Sequence, residues 1–329
     1  MPTLVQSIQN KPVFAGRISI GSLHKLSFPA LGTTCEVQYV TPGNVLPMPA
    51  FESEAVGWVQ TFESKYSRFK PASLVSRINA AAGNAWVEVD AETEELFGLC
   101  DSLFVMTSGL LDPTALPLIK LWNWKAEHPV IPSAAEIESA RPLVGWPKVQ
   151  RATGKVLLPQ HGMALDFGGF GKEYAVDRVA QIALDHGISD VLVDFGHDVR
   201  ALGAPPGRPA WHIGLEDPKY PGRLSGSIAI TGKGVASSGD YVRCFKIAGR
   251  RYGHIIDPRT AHPVANGCTQ ATVIANCCLQ AGVLSTTAFV LGLREGLAFI
   301  REFPGADGII LNEFERAQTP RFLNYAVSP

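Results

Sequence analysis

The sequence has 329 residues, of which 46% are hydrophobic and 18% are charged, and its formal net charge is −1 at pH 7. This balance is typical of a folded globular protein and excludes a largely disordered chain. The near-zero net charge gives no reason to expect a nucleic acid or an acidic membrane as a partner. No apolar run approaches the roughly 20 residues that a membrane-spanning helix needs.

The start of the chain and the cysteines bear on location. Residues 1–6 lack a basic segment followed by an apolar one, and no lipoprotein-type cysteine lies near the start. The six cysteines fit neither a zinc ribbon nor a CxxC redox pair, which favours reduced thiols. We therefore expect a cytoplasmic protein.

The predicted elements mix helices and strands without a regular βαβ period. In chain order, residues 1–27 are interpreted as an amino-terminal arm and a first strand, and residues 33–40 alternate as a strand. Further helices are predicted over residues 51–66, 90–106, 172–186, 279–291 and 295–303, and further strands over residues 191–193, 227–230, 251–256 and 308–311. This order predicts an α+β fold, which we take as a single domain over residues 1–329.

A glycine-rich segment precedes the helix at residues 172–186. Residues 166–174 read Asp-Phe-Gly-Gly-Phe-Gly-Lys-Glu-Tyr, so three glycines and Lys172 stand where a helix begins. Bare backbone, free N–H groups and a lysine all suit a bound phosphate. The segment is not a Walker A loop, because Asp166 and Glu173 replace the glycine and the hydroxyl residue that such a loop requires. A tight turn that packs a helix on a sheet explains the glycines equally well.

Three other polar segments are candidates for chemistry. His254 stands at a predicted strand end before Asp-Pro-Arg-Thr at residues 257–260, where it could be a general base or a half-buried histidine bonded to backbone. Residues 112–114, Asp-Pro-Thr, could bind a ribose or form an ordinary Asx turn. The hydroxyls at residues 285–287 could bind a ligand or bond back to the preceding helical turn.

Taken in order, these segments resemble the FAD:protein FMN transferase (ApbE) family, older members of which were called thiamine-biosynthesis lipoproteins. The resemblance spans about residues 28–311. It is carried by Leu-Gly-Thr-Thr at 31–34, Tyr-Ser-Arg-Phe at 66–69 running into 73–79, Asp-Pro-Thr at 112–114, the segment 166–174 with Asp177, Ser-Gly-Asp-Tyr at 238–241, and His-Ile-Ile-Asp-Pro-Arg-Thr at 254–260.

The resemblance implies an α+β fold with a T-fold-related α/β core, a smaller flanking lobe and FAD in the cleft between them. It implies an enzyme that cleaves FAD as its substrate, releases AMP and joins FMN through a phosphoester to a Thr or Ser of a partner flavoprotein. The chain has no obvious acceptor motif of its own, so the expected acceptor is a separate protein.

The resemblance also assigns roles to individual positions. His254 falls where a general base for the acceptor hydroxyl has been proposed, and Gly169 and Thr286 fall at or near Mg²⁺ ligands. Two negatively charged phosphates would require such a cation. The positions that fall where the family contacts FAD are Leu31, Phe69, Asp112, Pro113, Thr114, Asp166, Lys172 and Ile255.

The sequence departs from the family pattern at three places. Gly282 stands where the family has a metal-binding carboxylate, so we expect a weakened Mg²⁺ site, although Asp240 or Asp257 could reach it. Glu173 stands where glycine is commoner. Residues 195–198 read Phe-Gly-His-Asp in place of Gly-Gly-Asp. His197 could be a partner for a phosphate or a metal, but we favour a turn residue that faces solvent.

These departures leave two alternatives to flavin transfer. One is a catalytically weak homologue that holds FAD as a carrier or sensor. The other is a FAD pyrophosphatase that gives FMN and AMP.

Overall fold

The computed structural model describes residues 16–41, 43, 46–220 and 222–327. The helices are α1 (Pro49–Tyr66), α2 (Leu74–Ala80), α3 (Ala91–Met106), α4 (Leu116–Leu121), α5 (Ala134–Ala140), α6 (Gly171–Asp185), α7 (Cys278–Leu291) and α8 (Leu293–Arg301). The strands are β1 (Gly16–Ile20), β2 (Leu23–Ala30), β3 (Thr33–Val40), β4 (Val87–Glu88), β5 (Gln150–Ala152), β6 (Lys155–Leu157), β7 (Val191–Phe195), β8 (Asp198–Leu202), β9 (Trp211–Glu216), β10 (Leu224–Ile230), β11 (Lys233–Gly239), β12 (Cys244–Ile247), β13 (Arg250–Gly253), β14 (Ile256–Asp257), β15 (His262–Pro263), β16 (Cys268–Ala275), β17 (Asp307–Asn312) and β18 (Arg316–Gln318).

A nine-stranded sheet organises the molecule. Its strand order is β1-β2-β3-β7-β8-β11-β16-β17-β18, and each neighbouring pair is antiparallel. Helices accompany this sheet without βαβ crossovers, so the predicted α+β class is confirmed.

Helices α1, α3, α6, α7 and α8 pack on one face of the sheet. Helices α1, α3 and α6 build a core with β2, β3 and β7, and α7 and α8 build a second core with β16 and β17. The opposite face is covered by the β9–β10 hairpin, whose Trp211 packs near Leu192. Because β7 is covered on both faces, its residues form the continuous apolar run that the sequence shows.

Local sequence signals set several helix ends. Asp90 is the N-cap of α3, and its carboxylate accepts a hydrogen bond from the Thr93 backbone N–H, as predicted. Helix α6 ends at Asp185, and Gly187 follows with a φ of 77°, a conformation that favours glycine. The start of α6 differs, because its N-cap residue Phe170 provides no side-chain cap.

A smaller apolar cluster lies beside the main sheet. It joins α4 and α5 to the β12–β13 hairpin around the buried Trp122, whose indole N–H donates to the Ala261 carbonyl at 2.9 Å. The β12–β13 hairpin of this cluster ends at Gly253, directly before His254.

Two predictions of local structure were wrong. Residues 1–15 lie outside the described residues, but residues 16–30 form two strands, β1 and β2, rather than one. Gly21, with a φ of 61°, allows the tight turn between them. The strand predicted over residues 251–256 stops at Gly253, because the Ile255 carbonyl instead accepts from the Val264 backbone N–H.

Candidate functional site

The glycine-rich segment brings Lys172 to the start of α6. The Lys172 ammonium forms an ion pair with the carboxylate of Asp198, which follows the β7–β8 turn. Burial alone would lower the pKa of Lys172, but the charge of Asp198 raises it, so the side chain stays protonated. One quarter of the Lys172 side chain remains exposed, which leaves its charge accessible to a ligand.

Glu173 and Gly282 lie in direct contact across α6 and α7. A Cβ atom added to Gly282 would lie 2.6 Å from Cγ of Glu173 and 2.9 Å from its Oε1. Atoms do not approach so closely, so any larger residue at position 282 would collide with the Glu173 side chain. In the sequence, Glu173 and Gly282 are two separate departures from the family pattern. In the structure, the two residues are in contact.

The Glu173 carboxyl group is buried without full hydrogen bonding. The residue is 9% exposed, and its Oε2 has no hydrogen-bond partner among the described residues. Burial, followed by the charge of Asp198, raises the pKa of the carboxyl group well above its usual value. A buried polar atom without a partner costs about 1–3 kcal/mol, so this oxygen requires an explanation.

A chain of hydroxyl groups crosses from α7 to β11. The Ser285 hydroxyl donates to the Gly282 carbonyl at 3.0 Å, which is the back-bonding expected for such residues. Ser238 Oγ lies 2.9 Å from Ser285 Oγ and 2.8 Å from Thr286 Oγ1. Since each hydroxyl has one proton, Ser238 must donate to Ser285 and Thr286 must donate to Ser238. The Thr286 oxygen therefore keeps its lone pairs available.

Gly169 lies in the exposed loop before α6, four residues before Glu173. Its backbone is accessible, and an added Cβ would meet only Leu111 at 3.8 Å. Within the described ranges, no group of three or more His, Cys, Asp or Glu residues is placed to hold a metal ion.

Asp166 and Phe69 are connected through Arg68. The guanidinium of Arg68 pairs with the Asp166 carboxylate at 2.9 Å and lies 4.2 Å from the centre of the Phe69 ring. The Asp166 carboxylate also accepts from the Gly168 backbone N–H at 3.0 Å. The Phe69 ring is 70% exposed, which is unusual for a phenylalanine beside buried polar groups.

A second connection leads from Phe69 to His254. The Lys125 ammonium lies 5.7 Å from the centre of the Phe69 ring and 5.2 Å from that of Trp124. The Trp124 and His254 ring centres are 6.2 Å apart. Asp166, Phe69 and His254, predicted separately, thus lie on one continuous surface.

Among the described residues, the His254 ring has a hydrogen-bond partner at Nδ1 and none at Nε2. Its Nδ1 lies 3.2 Å from the Arg243 carbonyl oxygen, so Nδ1 carries the proton and Nε2 has the lone pair. Burial, followed by the charge of Arg243, lowers the pKa of His254 to about 4. At neutral pH the imidazole is therefore neutral and able to accept a proton.

Asp112, Pro113 and Thr114 form an Asx turn. Oδ1 of Asp112 accepts from the Thr114 backbone N–H at 2.7 Å and from its hydroxyl at 2.6 Å. The Thr114 hydroxyl accepts from the Gly145 backbone N–H at 2.7 Å. The Pro113 carbonyl accepts from the Asp166 backbone N–H at 2.8 Å, so this turn supports the Asp166 segment.

Leu31 lies in the β2–β3 turn with a φ of 54°, and its backbone N–H donates to Glu63 at 2.7 Å. This turn lies against the β7–β8 turn, because a Cβ on Gly196 would fall 2.5 Å from the Thr33 hydroxyl oxygen. His197 is exposed in that second turn, as predicted. Asp198, the partner of Lys172, follows it directly.

Ile255 and the remaining acidic candidates have structural contacts. Ile255 packs against the core of α7 and β16, one residue from His254. Asp257 pairs with Arg259 at 2.8 Å. Asp240 pairs with Arg251 at 3.1 Å, although its Oδ1 lacks a hydrogen-bond partner in the described part of the chain.

Arg68, Trp124 and Lys125 contact the predicted site residues but were not themselves predicted from the sequence. Arg68 stands in the quoted Tyr-Ser-Arg-Phe motif, and the run Trp-Asn-Trp-Lys at residues 122–125 combines aromatic and basic residues. That composition was the available signal, but only the fold shows that these residues face Phe69 and His254.

Comparison with known proteins places the chain among flavin transferases. The ApbE family model matches residues 31–310. A FAD:protein FMN transferase of Klebsiella pneumoniae is 30% identical over 80% of this chain and 83% of that protein, and one of Treponema pallidum is 29% identical over 85% and 82%. The crystal structure of the ApbE protein from Thermotoga maritima superposes with a TM-score of 0.83 and 31% identity, over 93% of this chain and 100% of that chain.

No helix within the described segments is both long and apolar enough to cross a membrane. The family match, the relatives and the shared architecture agree over the same residues. The chain belongs to the ApbE family.

Proposed function

We propose that the protein is a FAD:protein FMN transferase. It binds FAD, cleaves the pyrophosphate and attaches FMN through a phosphoester to a Thr or Ser hydroxyl of a partner flavoprotein. The observation that supports this most directly is the continuous surface from Asp166 through Arg68, Phe69, Lys125 and Trp124 to His254.

His254 supplies the base for the acceptor. The acceptor hydroxyl gives its proton to Nε2 of His254 while its oxygen bonds to the phosphorus of the FMN phosphate. The bond from that phosphorus to the bridging oxygen breaks, and AMP leaves with the bridging oxygen. The hydrogen bond from Nδ1 to the Arg243 carbonyl holds the imidazole in the tautomer that this step needs.

The exposed Phe69 and the cations beside it form the FAD-binding surface. A bare aromatic face can stack on a flat ring of the substrate. Arg68 and Lys125 provide positive charge beside it, and Lys172 does so at the start of α6. Leu31, Asp112, Pro113, Thr114, Asp166 and Ile255 would shape this surface, mainly through backbone atoms where their side chains are already bonded.

A divalent cation would be held by oxygen donors near α7. The available lone pairs of Thr286 and the exposed backbone of Gly169 are oxygen donors of the kind that Mg²⁺ prefers, and the side chain of Glu173, whose Oε2 is unpartnered among the described residues, lies against α7 at Gly282. Mg²⁺, when bound, would offset the negative charge of the pyrophosphate.

The test uses the purified protein, FAD, MgCl₂ and a flavoprotein with a Thr or Ser acceptor motif. We expect the acceptor mass to increase by that of an FMN group, with AMP released in equal amount. His254→Gln should reduce the rate by about 10²–10⁴-fold while FAD still binds. The exposed His212→Gln, on β9, is the matched control.

Two other results would reject the proposal. AMP release with no mass gain on any acceptor would indicate a FAD pyrophosphatase. Tight FAD binding that is indifferent to EDTA, with no AMP released, would indicate a carrier or sensor.

A further inference from the structure

We infer that Glu173, on α6, supplies the carboxylate ligand of the divalent-cation site, in place of a side chain at position 282 on α7. This inference rests on the proposed function, because it concerns the cation that flavin transfer needs. If the inference is correct, Gly282 is required for the cation site, because it leaves space for Glu173, and it is not a sign that the site is weakened.

The Glu173 side chain occupies the space beside Gly282. Cγ, Cδ and Oε1 of Glu173 lie within 3.0 Å of the position that a Cβ at Gly282 would occupy. The Glu173 side chain therefore fills the space into which any residue at 282 would project. The glutamate on α6 thus places its carboxylate in the space that the glycine on α7 leaves open.

One oxygen of the Glu173 carboxyl group has no hydrogen-bond partner among the described residues. Oε2 of Glu173 is buried and accepts no hydrogen bond from the described residues, whereas nearby carboxylates are engaged. Asp198 pairs with Lys172, and Asp177 accepts from the Cys278 and Leu279 backbone N–H groups at the start of α7. The Glu173 carboxyl group also faces Asp198, and a cation at the unpartnered oxygen would offset the repulsion between the two carboxylates.

Thr286 lies on the same face of α7 as Gly282. Residues 282 and 286 are four apart on α7, so they lie on one face of the helix, and helical side chains lean toward the preceding turn. The Thr286 side chain thus leans toward the turn of Gly282, where the Glu173 carboxylate lies. The hydroxyl chain through Ser238 leaves the Thr286 lone pairs available.

This donor set predicts the class of cation and its affinity. A carboxylate and a hydroxyl are hard oxygen ligands, which suit Mg²⁺ or Mn²⁺ rather than a soft metal. The protein ligands are few, so water and substrate phosphate oxygens would have to complete the coordination of a bound cation. We therefore expect modest affinity for the cation alone.

The test measures Mn²⁺ binding without turnover. Purified protein is titrated with MnCl₂ in the absence of FAD, and free Mn²⁺ is followed by electron paramagnetic resonance. The variants are Glu173→Gln, which keeps the shape of the side chain, and the exchange variant Glu173→Gly with Gly282→Asp. The exposed Glu95→Gln, on α3, is the control, and thermal melting checks that each variant is folded.

We expect Glu173→Gln to weaken Mn²⁺ binding by about tenfold or more, while Glu95→Gln binds as the wild type does. The exchange variant should recover most of the loss, because the carboxylate returns to the same place from α7. Gly282→Asp alone should lower the melting temperature, since its Cβ would collide with Glu173.

Unchanged Mn²⁺ affinity in folded Glu173→Gln would overturn the inference, as would a wild type that binds no Mn²⁺. A folded exchange variant that binds no better than Glu173→Gln would also overturn it. These results are separate from the proposed function. A wild type that binds Mn²⁺ through Glu173 but never modifies an acceptor would reject flavin transfer and keep the cation site.

Discussion

The Nδ1 atom of His254 lies 3.2 Å from the carbonyl oxygen of Arg243, and the backbone N–H of His254 donates to the same oxygen at 3.0 Å. One carbonyl thus fixes both the main chain and the ring of the proposed base. The arrangement leaves Nε2 without the proton, and burial with the positive charge of Arg243 keeps the ring neutral.

The pH profile of the reaction should report this neutral ring. A general base works in its deprotonated form, and the pKa of His254 is lowered from 6.5 to about 4. We expect kcat/KM for flavin transfer to fall on the acid side near pH 4, with no loss on passing through pH 6.5. Initial rates of acceptor labelling, at acceptor concentrations well below KM and at each pH of this range, measure the effect.

Arg243→Gln provides the control for that profile. Removing the guanidinium leaves burial as the lowering influence, so the acid limb should move toward higher pH. If kcat/KM of the wild type instead falls near pH 6.5, and Arg243→Gln does not shift that fall, His254 is not a buried neutral base.

Stability should depend on pH through the same residue. Between pH 6.5 and about pH 4 the unfolded histidine binds a proton that the folded one does not, so unfolding takes up a proton. The free energy of unfolding therefore falls as the pH drops through this window. We expect His254→Gln to have a smaller fall over the same window, measured by urea denaturation at several pH values.

Histidines elsewhere in the chain offer the comparison for this measurement. His212→Gln, at an exposed position, should keep the wild-type slope. Equal slopes in wild type and His254→Gln would show that His254 titrates alike in the folded and unfolded states.

The strands and helices with strong periodicity were predictable from the sequence. The alternation of residues 33–40, the N-cap at Asp90 and the glycine after α6 are local signals, and each marks the element that the structure contains. The β1–β2 turn was missed although residues 18–20 and 26–30 alternate, because the residues of β1 are all exposed and its alternation marks no buried face. The second strand is defined by its neighbours on the sheet, which a local pattern does not show.

The residues of the candidate site were predictable from the sequence, but the contacts between them were not. The sequence singled out Glu173 and Gly282, which are 109 positions apart, and gave no sign that they touch. That contact depends on how α6 packs against α7, a tertiary relationship. The same limit applies to Lys125 and Trp124, which reach Phe69 and His254 only through the packing of the smaller apolar cluster.

Phe69 should contribute to FAD affinity through its exposed face. The ring is 70% exposed and has Arg68 beside it, so it offers a preformed aromatic surface at little cost to the fold. We expect Phe69→Ala to weaken FAD binding by about 1 kcal/mol, roughly fivefold. Quenching of flavin fluorescence during titration with protein measures the dissociation constant.

Phe314 is the matched control for that substitution. Its side chain is 92% exposed in the turn after β17. Phe314→Ala should leave FAD affinity unchanged, and an equal loss in both variants would show that Phe69 does not contact the flavin.

Thr114 should matter to stability more than to FAD binding. It is fully buried, and its hydroxyl accepts from the Gly145 backbone N–H while donating to Asp112. Thr114→Val keeps the shape but leaves that N–H without its acceptor, so the free energy of unfolding should fall by about 1–3 kcal/mol. The exposed Thr153→Val should cost much less, and urea denaturation measures both variants.

The FAD affinity of folded Thr114→Val then separates two roles for this residue. The hydroxyl is already bonded within the protein, so a flavin could reach this turn only through backbone atoms, which the substitution keeps. We therefore expect the dissociation constant for FAD to change less than about twofold, well under the 1.4 kcal/mol of a tenfold change. A stable variant with strongly weakened FAD binding would instead mean that FAD replaces Gly145 as the partner of the hydroxyl when it binds.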